Sequence, residues 1–329
     1  MSAATPDLPE YRVANMFDPV STPAESIRVV SVFVLWITAA IFVIVGGLLT
    51  YAMIKFRRSS SEDTAEPAQI YGGTQIELAW TVIPILITLV LIMVSARSIG
   101  EIQNAKMPDD ALKVRLVGHQ WWWEVHYPDL GIISANEIHV PVSSKDAPRP
   151  THLKLQSADV IHSFWIPQLA GKTDLVPNRD NETWIEPWRT GIYFGNCAEY
   201  CGTQHANMLL RVVVHTPDGF KKWVQEQKAP TLLDSTNERV VAGRNAFFTA
   251  ACINCHQIDG TIAEGVFGPD LTKFASRMTL GAGVRPLTRE NVREWVRDPQ
   301  IHKVGALMPD MKLSDQDVDL ITDFLMTLK

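Results

Sequence analysis

The hydrophobic pattern of the chain changes twice, and each change marks a different kind of element. Residues 31–54, SVFVLWITAAIFVIVGGLLTYAMI, run for 24 positions without a charge. At about 1.5 Å per residue, a helix of that length crosses a hydrocarbon core roughly 30 Å thick. Residues 78–96, LAWTVIPILITLVLIMVSA, form a second uncharged run of spanning length. Lys55, Arg57 and Arg58 follow directly on the first run. The positive-inside tendency therefore puts the loop between the spans in the cytoplasm and both termini outside. The first thirty residues are polar and show no short apolar segment with a cleavage site, so the first span is expected to be retained.

From Lys113 the pattern turns to alternation and short apolar runs: ALKVRLVGHQWWWEVHY, HLKLQSADVIHSFWIP, TWIEPWRTGIYFGNC and NMLLRVVVHTP. Valine, isoleucine and aromatic positions bounded by Gly, Pro, Asn and Asp predict strands, at a spacing that suits a small β-sandwich. KKWVQEQKAPTLLDSTNER is polar and reads as a connection. Helical spacing then returns in RVVAGRNAFFTA and in LSDQDVDLITDFLMTL, where Ser314 is placed to cap the helix. The expected layout is a tail and two transmembrane helices over 1–100, a sandwich over 101–228, a linker over 229–240 and a helical domain over 241–329.

Composition adds little to this except by exclusion. The 329 residues allow two or three domains, and a formal net charge of −6 argues against a nucleic-acid partner. The four cysteines fall in two tight pairs, Cys197/Cys201 and Cys252/Cys255, which is not the pattern of a disulfide framework.

The first pair lies in GNCAEYCGTQHANM, with Cys197, Cys201, His205 and Met208 at i, i+4, i+8 and i+11. On a helix the first three would share a face. Gly195 and Gly202 interrupt that reading, and strand-like runs enter and leave the motif, so a loop between two strands is expected. Two thiolates, an imidazole and a thioether favour redox-active copper; zinc, which rarely takes methionine, is the alternative. His162, in the strand-like SADVIHSFWIP, supplies a further histidine.

These residues, with DVIHSFWIP, GKTDLVPNRDN and C-x-E-x-C-x-x-x-H-x-x-M, resemble subunit II of haem–copper cytochrome c oxidases over roughly residues 25–228. The resemblance implies a cupredoxin-like sandwich with a binuclear mixed-valence CuA centre of two copper ions. It makes Cys197 and Cys201 the bridges and His162 and His205 the terminal ligands. Met208 and the carbonyl of Glu199 become the weak ligands. It also implies a magnesium ion shared with subunit I through the Glu199 carboxylate. Trp121, Trp122 and Trp123 match the aromatic segment through which the family takes in electrons. Three in a row on a strand cannot all face the core, so some are expected at a surface or interface. Glu77, at the cytoplasmic edge of the second span, is either a solvated flank or the family's glutamate near the mouth of a proton path.

The second pair opens ACINCHQ, the C-x-x-C-H signal for covalent haem. Cys252 and Cys255 would carry the thioether links and His256 one axial bond. From that helix to the chain end, the sequence resembles an all-α class I cytochrome c domain. Gly268, Pro269 and Leu271 match its post-haem loop, and Met308-Pro309 its sixth-ligand turn. Met311 is the local competitor and His302 a weaker one. A thioether ligand raises haem potential relative to two histidines.

Anchor, copper sandwich and haem domain in this order look like the caa-type arrangement. That implies the electron-accepting subunit of a bacterial inner-membrane terminal oxidase, with its redox domains on the periplasmic side. Electrons would pass from haem c to CuA and on to subunit I, where oxygen reduction is coupled to proton pumping. Subunits I and III and a soluble or membrane-bound cytochrome donor are the implied partners. A nitric oxide reductase small subunit and a membrane-tethered copper or haem carrier are the alternatives. A short linker holds the haem domain near copper at roughly millimolar effective concentration, and motion about residues 228–239 is expected to let docking limit the rate.

Overall fold

The computed structural model describes residues 11–12, 14–57, 66, 68–144, 146–231 and 236–329. Arg58, the first ten residues and the stretch 232–235 of the expected linker lie outside the described residues. Helices α1 (Thr22–Lys55) and α2 (Thr74–Gln103) contain the two apolar runs and extend past them at both ends. At 34 and 30 residues each exceeds the roughly 20 needed to span a bilayer. Their apolar side chains are exposed almost throughout, Phe42 at 77% and Ile54 at 74%, as lipid-facing helices require. The helix pair forms one compact unit, from Glu25 to Lys106.

The second unit runs from Met107 onward and includes the chain up to Ala24. Its strands, in chain order, are β1 (Tyr11–Arg12), β2 (Leu112–His119), β3 (Trp122–Tyr127), β4 (Ile132–Ala135), β5 (Glu137–Pro141), β6 (Thr151–Ser157), β7 (His162–Trp165), β8 (Thr173–Leu175), β9 (Asn181–Ile185), β10 (Gly191–Cys197) and β11 (Leu209–His215). One sheet runs β5-β11-β10-β7-β8, with β1 paired in parallel to β10, and the other runs β4-β3-β2-β6-β9. Alternation dictates the faces: every second residue of β2, β3 and β6 is buried. Trp123, Tyr127, Phe164 and Tyr193 are fully buried between the sheets, each stabilising by roughly 1.5–3 kcal/mol or more. The segment before α1 belongs here too. Val20 joins the sandwich core, its amide donating to the Gln168 carbonyl and its carbonyl accepting from the Trp188 amide.

One expectation is corrected. The first part of the polar stretch read as a connection is helix α3 (Pro217–Lys228). Thr216 caps it by accepting from the Gly219 amide, and Pro217 sits where its missing N–H costs nothing. Phe220, Trp223 and Val224 face the sandwich, and Trp223 stacks on His139 at 4.5 Å between ring centroids.

The C-terminal domain is α4 (Glu238–Thr249), a short hairpin of β12 (Thr279–Leu280) and β13 (Arg285–Pro286), α5 (Arg289–Arg297) and α6 (Asp315–Leu325). Phe247 of α4 meets Phe324 of α6 at the centre of its core. Ser314 caps α6 by accepting from the Asp317 amide, where the sequence places it.

Candidate metal centre and haem pocket

The loop Cys197–Met208 leaves β10 and returns into β11, so it joins two neighbouring antiparallel strands. β7 pairs with the other edge of β10 and carries His162 beside Cys197. Sheet topology thus gathers donors that are 35 residues apart in sequence. The Cys197 Sγ lies 3.8 Å from the His162 Nδ1 and 3.1 Å from the Glu199 carbonyl oxygen. The Cys201 Sγ lies 3.6 Å from the His205 Nδ1 and 3.8 Å from the Met208 Sδ. His162, Cys197, Cys201 and Met208 are buried, while His205 is half-buried at the rim. Donors bound at roughly 2.0–2.3 Å to a shared metal stand about 3.5 Å apart, close to the spacings seen.

The protonation chemistry agrees. The thiol of Cys201 donates to Cys197, and with His162 also bonded there the Cys197 thiol is held down to about 3 against its burial. The Cys201 proton is correspondingly hard to remove, because a second thiolate would face the first. One anion forms readily and the second needs a cation, which is what a thiolate-bridged metal pair supplies. The other nitrogen of His162 pairs with Asp159 at 2.8 Å, leaving Nδ1 for the cradle. Asp159 also accepts from the Gln120 amide, and the Gln120 side chain donates to the Cys201 carbonyl. Neither Asp159 nor Gln120 was expected from the sequence; an acid three residues before His162 is the signal that could have pointed to Asp159.

The three tryptophans separate. Trp123 is core. Trp122 stacks on His119. Trp121, in the turn between β2 and β3, donates its indole N–H to the Cys201 carbonyl at 2.9 Å. The Glu199 carboxylate is at the surface and pairs with Lys172. Glu77 is in the first turn of α2, accepting from the Gly73 amide.

In the C-terminal domain a mostly apolar cavity of about 370 Å³ is lined by Cys252, Cys255, His256, Met308 and Met311, with Trp121 and Trp122 at its border. The His256 Nδ1 donates to the Pro269 carbonyl at 2.8 Å, which fixes the tautomer and leaves Nε2 for a metal. Burial lowers the His256 pKa, favouring the neutral ligand form. Gly268 is required beside it: a Cβ there would come within 2.7 Å of the imidazole. Cys252 and Cys255 are free thiols, and burial pushes Cys252 up to about 11. The cavity and its donor set fit a covalently held haem. Both methionines line the cavity, whereas His302 stacks on Trp295 and pairs with Glu294.

A membrane-anchored sandwich with a soft-metal cradle, joined to a cytochrome c domain, defines a class of electron-transfer protein. Residues 10–99, 135–216 and 240–329 match three families. In that order they are described as cytochrome c oxidase subunit II, transmembrane domain; cytochrome c oxidase subunit II, periplasmic domain; and cytochrome c. Cytochrome c oxidase subunit 2 of Alkalihalophilus pseudofirmus is 31% identical over 317 residues, covering 95% of this chain and 90% of that one. That of Bacillus sp. strain PS3 is 33% identical over 294 residues, covering 83% and 80%. The crystal structure of the periplasmic domain of subunit II of cytochrome oxidase from Bradyrhizobium japonicum aligns with a TM-score of 0.35 at 32% identity, over 37% of this chain and 97% of that one. The chain belongs to the cytochrome c oxidase subunit II family, in a form that carries a C-terminal cytochrome c domain. It is a membrane-anchored component of a haem–copper oxidoreductase, with a periplasmic-side domain, copper and haem as its cofactors and subunit I as its partner.

Proposed function

We propose that this subunit takes electrons from a cytochrome donor at its haem domain and delivers them through copper to subunit I of a proton-pumping oxidase in a bacterial inner membrane. The observation that carries the reading is the convergence of six donors in the cradle beside a cavity lined by both haem-motif cysteines. Cys197 and Cys201 would bridge two coppers, with His162, His205, Met208 and the Glu199 carbonyl completing them. Cys252 and Cys255 would hold the haem, with His256 and Met308 as axial donors. When bound, both groups would supply one-electron chemistry.

The protein's own groups do the rest. Asp159 orients His162, the Pro269 carbonyl orients His256, and the buried walls of the cradle exclude water. The half-buried His205 edge and the Glu199 carboxylate face outward, where subunit I and a shared magnesium would meet them. Glu77, exposed at the cytoplasmic end of α2, suits the mouth of a proton path in the partner; subunit III completes the proposed assembly. A metal-delivery role would call for open, incomplete coordination, and all six donors here are already in place. Electron paramagnetic resonance on the purified oxidase tests the reading: the hyperfine pattern of one electron shared by two coppers is expected, and that of a single copper would overturn it.

A further inference from the structure

Lys303 carries an amine that neither centre uses; it is 3% exposed, and burial pulls its pKa down to about 7. Its Nζ donates to the carbonyls of Trp121 at 2.6 Å, Asn207 at 2.8 Å and Gly281 at 2.9 Å. An ammonium has three protons, so it is fully satisfied. Trp121 and Asn207 belong to the sandwich, Gly281 and Lys303 to the haem domain. The same seam continues on both sides. Gln204 donates to the Val304 carbonyl, and the Leu209 amide to the Ala282 carbonyl. Glu137 of β5, 1% exposed, accepts from the Met278 and Thr279 amides, and Arg211 of β11 donates to the Thr279 hydroxyl.

These contacts tie the haem domain to the loops that bear the copper donors. Trp121 reaches the Cys201 carbonyl, Asn207 precedes Met208, and Gln204 precedes His205. On the other side, the Gln300 side chain donates to the Ala306 and Met308 carbonyls and accepts from the Gly305 amide. The loop from Lys303 to Met308 is therefore held in one shape from end to end.

We infer that Lys303 is a positioning residue for electron transfer, locking the haem domain onto the copper domain with Trp121 between the haem cavity and the Cys201 carbonyl. This rests on the proposed ligand reading. In the step it serves, one electron leaves the reduced haem, which is oxidised, and enters the oxidised copper pair, which is reduced; no bond or proton changes. Exposed rim charges give contacts that are weakened by salt. Here the charged groups of the seam are buried and bonded across it, so salt has little access to them. A search by a tethered domain, expected from the polar linker, is replaced by a fixed dock.

The test uses the intact oxidase with copper and haem bound. Hydrogen exchange at the Leu209, Met278 and Thr279 amides is measured alongside pulse-reduction kinetics followed at the haem and copper bands. The wild type should keep these amides protected and the transfer rate unchanged between about 0.01 M and 1 M salt, a range over which screening shortens from roughly 30 Å to 3 Å. Lys303→Met should release the amides and slow transfer roughly tenfold or more, in proportion to the docked fraction lost. Its haem absorption and copper resonance spectra should stay as in the wild type. Glu137→Gln, at the far end of the seam, should show the same effects more weakly and serves if Lys303→Met fails to assemble. Wild-type protection and rate in both variants would overturn the inference. So would a wild-type transfer that slows with salt, or loss of the copper spectrum in Lys303→Met. Absence of the two-copper or haem signal from the wild type would instead sink the ligand reading, and the exchange data would still judge the seam.

Discussion

His162 and His256 are held by the same device in two unrelated folds. Each has one ring nitrogen bound by an oxygen, from Asp159 or from the Pro269 carbonyl. Each also lies against a glycine, Gly118 or Gly268, where a Cβ would come within 2.7 Å of the ring. Removing the orienting oxygen frees the imidazole to rotate, so Asp159→Ala should lower copper affinity roughly 10–100-fold, read by titration against a copper chelator. Cys197→Ser and Cys201→Ser should each abolish the two-copper resonance, because a hydroxyl cannot replace a bridging thiolate. For the haem, Met308→Ala should remove the weak charge-transfer band that reports iron–thioether bonding, while Met311→Ala leaves it; the reverse result would transfer the role to Met311. A fourth residue links pH to stability. Burial raises the pKa of Glu124, but pairing with His119 and His126 outweighs it and holds the carboxyl at about 2. A carboxylate depressed in the fold stabilises above its unfolded pKa and loses that contribution as pH falls through the folded one. The wild type should therefore lose its advantage over Glu124→Gln, at most about 3 kcal/mol, as pH drops from about 4.5 to 2 in thermal unfolding.

Elements were legible where one period ran long enough. The uncharged runs predict α1 and α2, and the alternation around Trp123, Leu153 and Val212 predicts the two sheets. The C-x-x-x-C loop is placed between strands because Gly195 and Gly202 break the helical alternative. α3 was missed because its polar face outnumbers Phe220, Trp223 and Val224. α5 was passed over for the same reason, although it carries a readable signal: Arg289, Arg293 and Arg297 repeat every four residues, as do Asp315, Asp319 and Asp323 on α6. The structure sets them side by side, with Arg293 paired to Asp319 and Arg289 to Asp323, each at 2.6 Å, and Arg297 to Asp315. These groups are partly exposed, so the ladder should be weak and screened. Arg293→Gln should lower the Tm of the haem domain at low salt and leave it nearly unchanged at about 1 M, compared by calorimetry with the wild type. The seam was not legible at all. Lys303, Glu137 and Arg211 are scattered over the chain, and nothing in local sequence says that three carbonyls will converge on one ammonium.

At the scale of the whole molecule the order of the domains is what the proposed order of transfer rests on. All six donors of the metal cradle lie between His162 and Met208, and the haem cavity is built from residues from Phe247 onward with Gln120, Trp121, Trp122 and Asn136 at its border. With the haem domain docked, Trp121 faces that cavity, so under the proposed reading an arriving donor would meet the haem domain before the indole. Deleting everything after Lys228 leaves α3 and both sheets complete and exposes Trp121 together with Glu137 and Arg211. The shortened subunit, assembled with its oxidase partners, should keep the two-copper resonance and still be reduced by small artificial donors that need no docking surface. Turnover with the native donor should slow, because that donor would have to fit a face shaped for the haem domain. Stopped-flow reduction of the full-length oxidase should show haem reduced before copper, with the second phase independent of protein concentration, since it occurs within one chain. If the native donor reduces copper at full speed without the haem domain, the haem is not an obligatory relay, and this order of transfer fails.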